Sequence, residues 1–181
     1  MSTHKLDRER AVLVVVDVQE AFRKALPESF ERITDSVAKL VQGAEAMGVP
    51  IVVTEQYPQG LGRTVPEVAD HLPDGLEPIE KVRFSATEAE GFDLDGRDQA
   101  LVCGIETHVC VNQTVLDLLD RKIEVHVVGD AVGSRSESNR ELGLHKAEQA
   151  GAVLTSVETA LFELLRGSDA PEFKTVQALV K

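Results

Sequence analysis

The chain has 181 residues, 43% of them hydrophobic, and only two cysteines, which excludes a disulfide scaffold, a collagen-like or disordered chain, and a membrane-embedded one. Nineteen Lys and Arg against 31 Asp and Glu leave a formal net charge of −12. That balance repels phosphate backbones and anionic membrane surfaces, so neither nucleic acid nor membrane is expected as a partner.

The opening "MSTHKLDRER" is polar and lacks the form of a secretory signal; together with free thiols it points to a cytoplasmic location. "AVLVVVD" (11–17) is short, β-branched and unalternating, as in a strand buried on both faces. A helix is expected within 27–49, where Phe30, Ile33, Val37, Leu40, Val41 and Ala44 recur at helical spacing and Gly48 marks the stop. "PIVVTEQ" reads as the next strand. Residues 57–95 carry four prolines and little periodicity, and read as long loops with short elements, a common lining for a site. Beyond them the alternation resumes: strand in "DQALVCGI", helix in "HVCVNQTVLDLLDRK", strand in "IEVHVVGDAV", helix in "SESNRELGLHKAEQAG", strand in "AVLTSV", helices in "ETALFELLRG" and "PEFKTVQALVK". Such alternation predicts one α/β domain over 1–181, a three-layer α/β/α arrangement with a mostly parallel, doubly wound, Rossmann-like sheet.

In open parallel sheets ligands gather beyond the carboxyl ends of the strands, where strand order reverses. Asp17, the 55–57 segment, the 106–110 segment and Asp130 occupy such ends. Cys110 stands at the start of a helix, where Thr107 or His108 could cap the first turn and the helix dipole favours a thiolate. Cysteines also pack inertly under helices, which is how Cys103, inside its strand, is read. Asp17 follows six apolar residues, so it either ties down the turn with Gln19 or serves as a general base beside the thiol. Lys81 is either a solvated lysine or the cation such a pair needs.

Three stretches settle the choice: "VLVVVDVQEAF", "EKVRFSA" and "LVCGIETHVCVNQTVLDLLDRKIEVHVVGDAVGSR". In this order and spacing they resemble the isochorismatase-like cysteine hydrolases, a family that includes nicotinamidases and N-carbamoylsarcosine amidohydrolases. The later segments look most like its isochorismatase-domain-containing branch. The resemblance implies a catalytic triad of Asp17, Lys81 and Cys110. It also implies a cis peptide between Ile105 and Glu106, with the backbone N–H groups of Glu106 and Cys110 forming an oxyanion hole. The implied activity is hydrolysis of a small carbonyl compound at an amide-type C–N bond through a thioester, in a dimer or tetramer. An ester or ureido substrate, or a silent or redox-sensing binding protein of the same fold, stays open.

The nicotinamidase metal pair, Asp-x-His after the second strand, is replaced here by "TEQYPQG", and His71 alone makes no zinc site. No metal and no cofactor are expected. His108 lies two residues from Cys110, a spacing that does not share a helical face; it is expected to point toward substrate or a neighbouring subunit. With Phe22 and Tyr57 it completes the candidate substrate pocket. His126 reads as packed, and Arg135 either as a ligand for a substrate carboxylate or, the preferred reading, as a salt-bridge partner of Asp130 or Glu137. Neither G-x-G-x-x-G nor a P-loop occurs, which argues against a nucleotide-binding module.

Overall fold

Residues 4–181 are described by the computed structural model. Residues 1–3, part of the opening stretch read for a secretory signal, lie outside the described residues. Among the described residues the six strands are β1 (Ala11–Val16), β2 (Ile51–Gln56), β3 (Ile79–Lys81), β4 (Gln99–Ile105), β5 (Glu124–Gly133) and β6 (Val153–Thr155), in the spatial order β3-β2-β1-β4-β5-β6. Every pairing between them is parallel. The order reverses between β1 and β4, so the crevice that parallel sheets offer to ligands opens at their carboxyl ends.

The helices are α1 (Phe22–Ala25), α2 (Phe30–Ala46), α3 (Pro58–Leu61), α4 (Pro66–Ala69), α5 (Asn112–Asp120), α6 (Glu137–Gln149), α7 (Val157–Leu165) and α8 (Phe173–Val180). The alternation of β1 shows why its sequence is apolar throughout. Leu13 and Val15 join one core with Ile33, Val37 and Val41 of α2 and Leu161 of α7, whereas Val12, Val14 and Val16 join a second core with Val115 and Leu118 of α5. All six residues of β1 are buried, and each such aliphatic side chain contributes about 1.5–3 kcal/mol on burial. Helix α2 stops where expected: Gly48 adopts φ 68°, the left-handed turn that ends helices at a glycine.

Two expectations need refinement. The 57–95 stretch holds a true sheet strand, β3, paired to β2 at Thr54↔Ile79 and Gln56↔Lys81. At three residues it is too short to show a period. Asp130 does not end its strand: β5 runs on to Gly133 past an irregular register between Val102 and Gly104 of β4, and the Asp130 carboxylate accepts the Val157 N–H at the start of α7. Among the described residues no helix is long and apolar enough to cross a membrane.

Candidate active site

Register places the candidate residues at one end of the sheet. Val16, the last residue of β1, pairs with Thr54 of β2 on one side and Gly104 of β4 on the other. Asp17 follows and leaves the strand with φ 51°, a left-handed conformation that aspartate tolerates better than most residues. Gly104 has φ 120°, and a Cβ there would lie 2.0 Å from the Val16 carbonyl oxygen. Only glycine allows this close approach of β4 to β1.

Asp17 is fully buried and both of its carboxylate oxygens are engaged. Oδ1 accepts the Thr54 hydroxyl at 2.7 Å, and Oδ2 accepts the Lys81 ammonium at 2.7 Å. Lys81 closes β3, with its side chain 1% exposed. Its Nζ also donates to Gln56 Oε1 at 2.8 Å and to the carbonyls of Phe84 at 2.9 Å and Arg83 at 3.2 Å. Three N–H donors therefore face four oxygens, an arrangement that satisfies a charge taken out of water.

Cys110 is the third member of the cluster, 5% exposed. Burial pushes its thiol well above the ordinary cysteine range; the neighbouring Asp17 carboxylate pushes it further, while Lys81 opposes it. The direction is opposite to the lowering expected of a thiol at a helix start. The capping expectation also fails: Thr107–Val111 form a π-helical turn whose N-cap is Glu106, without a side-chain capping bond. Thr107 Oγ1 is buried without a partner among the described residues, and His108 Nδ1 bonds Ser134 Oγ at 2.9 Å. In this turn the Glu106 carbonyl accepts the N–H groups of Val109 and Val111, on either side of Cys110. The Ile105–Glu106 peptide bond is cis.

Structure and sequence reading part company at Arg135. Its backbone N–H and its Nε both donate to Glu106 Oε1, at 3.0 and 2.9 Å, rather than pairing with Asp130 or Glu137. Glu137 instead binds Arg140. Cys103 lies in the core on the opposite face of the sheet from Cys110, so the two thiols are separated by the sheet. Of the proposed pocket residues, Tyr57 is 55% exposed and donates its backbone N–H to the Lys81 carbonyl at 2.8 Å. It borders a hollow of about 260 Å³ that it shares with Lys81, Val82 and Arg83. Phe22 packs against the larger core, and His108 is held by Ser134.

Thr54 was absent from the sequence-based reading of the site, and Gln56 entered it only as part of the 55–57 segment, without a role. The available signal was polar side chains ending an otherwise apolar strand beside Asp17. Gln19 does brace this turn: its N–H donates to the Asp17 carbonyl, and its side chain bridges Gln56 and Gly62. Glu55 is committed elsewhere, one oxygen accepting from Thr64 N–H and hydroxyl and the other from Arg63. Among the described residues no three His, Cys, Asp or Glu side chains stand together as metal ligands.

The sequence profile of the Isochorismatase domain matches residues 11–159. The chain belongs to the isochorismatase family. Isochorismatase domain-containing protein 2A of Mus musculus is 42% identical over 176 residues, spanning 96% of this chain and 84% of that protein. The MAR1 ribonuclease structure from Caenorhabditis elegans superposes with a TM-score of 0.91 at 39% identity, covering 97% of this chain and 92% of its own. The YcaC gene product of Escherichia coli, described as an octameric hydrolase of unknown specificity, gives a TM-score of 0.86 at 25% identity, with 99% and 92% covered. This isochorismatase-family chain thus carries the family's hydrolase fold, with Asp17, Lys81 and Cys110 gathered at the switch point of its sheet.

Proposed function

We propose that this protein hydrolyses a small carbonyl compound at an amide-type C–N bond through a thioester on Cys110. The observation that carries the reading is the buried contact of Lys81 Nζ with Asp17 Oδ2 at 2.7 Å, with the Cys110 thiol close enough to feel both charges. A thiol held high by burial needs a base at the moment of attack, and Asp17 is the base in contact with it. In the first step the Cys110 proton passes to Asp17 as sulfur bonds the carbonyl carbon. The resulting oxyanion rests on the N–H groups of Glu106 and Cys110; one such donor is worth about 2.7–4 kcal/mol of transition-state stabilisation. Asp17 then gives its proton to the nitrogen, the C–N bond breaks and the amine leaves. Water adds to the thioester with its proton passing to Asp17, the C–S bond breaks, and sulfur recovers the proton as the acid departs. Lys81 balances the charge that moves between carboxylate and sulfur throughout.

A small substrate suits the hollow beside Lys81 better than a nucleic acid does, although a neighbour bears the name of a ribonuclease. Glu80, Glu88 and Glu90 border that hollow, and the whole chain carries −12; both repel a polyphosphate. A redox-sensing role is disfavoured by a buried, neutral thiol whose only fellow cysteine lies across the sheet. Two free thiols fit a reducing compartment such as the cytoplasm. The octameric relative supports a homo-oligomeric assembly.

The test is a panel of small amides, ureido compounds and esters, scored for release of ammonia, amine or acid, with Cys110→Ala as control. Turnover of an amide by the native chain and none by the variant is the expected pattern, together with a covalent adduct on Cys110 alone. Retained turnover in the variant removes the thioester route; cleavage confined to esters or ureido compounds reassigns the bond.

A further inference from the structure

We infer that Thr54 is a positioning residue for the hydrolysis proposed above: its hydroxyl fixes the Asp17 carboxylate so that the oxygen facing Lys81 stays in line and the carboxylate keeps its setting beside the thiol. The inference rests on that reading of the site. Thr54 grips Asp17 twice. Its backbone carbonyl accepts the Asp17 N–H at 3.1 Å, and its hydroxyl donates to Oδ1 at 2.7 Å. Both residues are fully buried, so no solvent can replace the bond if it is lost.

The two carboxylate oxygens therefore have different partners. Oδ2 meets the ammonium and Oδ1 meets the hydroxyl, which together leave one torsional setting for a side chain that starts from a left-handed backbone. Without the hydroxyl only Lys81 remains to set that torsion, and Lys81 itself has three further oxygens to satisfy. Thr54 keeps its own proton through the cycle, so it makes and breaks no covalent bond. Its sequence setting fits the role: in "IVVTEQ" a hydroxyl ends an apolar run, opposite Val16 in the parallel register. A valine there would fill the same space and leave Oδ1 unpaired.

The test uses p-nitrophenyl acetate as acyl donor to the full chain. Its leaving group needs no proton, so the burst of p-nitrophenolate reports attack by Cys110 alone. Thr54→Val is expected to slow the burst about 10- to 100-fold, in the range for a misaligned proton-transfer partner, with the half-saturating donor concentration unchanged. Thr54→Ser, which restores only the hydroxyl, is expected to recover the burst to within a few-fold. Circular dichroism melts of both variants accompany the kinetics. A burst within twofold of the native rate in Thr54→Val overturns the positioning role. So does a Ser variant that folds like the native chain yet stays as slow as Val. Failure of the underlying mechanism looks different: Cys110→Ala and Asp17→Asn would then retain the burst.

Discussion

Asp17→Asn separates what the carboxylate does to the resting thiol from what it does in turnover. The substitution keeps side-chain size and an acceptor oxygen for Lys81, and removes a negative charge that touches Cys110. After burial, that charge is the next cause holding the thiol above its ordinary range, while Lys81 acts the other way. Unit charges about 4 Å apart interact by about 4 kcal/mol at an effective dielectric of 20. Since about 1.36 kcal/mol corresponds to one pH unit, the ceiling is about three units, and relaxation around the new amide places the expectation at about one to three. The sign is unambiguous: with the anion gone, thiolate formation is less opposed and its midpoint falls. Lys81→Met removes the opposing cation, so its midpoint rises. The assay is the ultraviolet absorbance of the thiolate against pH, with Cys110→Ala as baseline. Both variants should lose p-nitrophenyl acetate turnover while moving the thiol in opposite directions. A shift of the two in the same direction, or an upward shift in the Asn variant, refutes the electrostatic reasoning.

Other outcomes can be checked without a substrate. Gly104→Ala puts a methyl 2.0 Å from the Val16 carbonyl at a φ of 120°; it should cost more than about 2 kcal/mol by denaturant titration, and a native-like midpoint would mean β4 can retreat from β1. His126 is buried, and desolvation holds its pKa below the ordinary histidine value of about 6.5. The unfolded chain therefore binds more protons between those values, so the contribution of His126 is intact above about pH 6.5 and is lost as pH falls, by up to about 1.4 kcal/mol per unit. In His126→Gln the stability curve between pH 7.5 and 5 should be correspondingly flatter; equal slopes in both chains would count against the burial argument.

The fold was legible because its strongest signals are long. The apolar run of β1, the periodic face of α2 and the repeated strand-helix alternation each leave one arrangement that buries them. The site was legible where a residue contradicts its surroundings, as Asp17 does after six apolar neighbours, and where the motif resemblance supplied Lys81 and Cys110. Three kinds of information were hidden. The three-residue strand that carries Lys81 has no period to detect. The hydroxyl of Thr54 and the amide of Gln56 matter only through register, which sequence spacing does not reveal. The thiol at a helix start looked activated, but how strongly burial opposes a thiolate depends on how deeply the turn is sunk, a property of the packing of α6 against it. Gly143, whose added Cβ would lie 2.9 Å from the Thr107 carbonyl oxygen, marks how tight that packing is.

The brevity of β3 gives its terminal lysine a mechanical duty as well as an electrical one. This strand is the margin of the sheet, bonded only to β2, and three residues of ladder are a weak fastening. The same Nζ that meets Asp17 reaches back to the carbonyls of Arg83 and Phe84, so it rivets the chain leaving the margin to the centre of the sheet. Val82 and Phe84, 76% and 50% exposed, ride on that riveted stretch, and Val82 borders the hollow. The lip of the cleft and the buried ion pair beneath it therefore share a single ammonium.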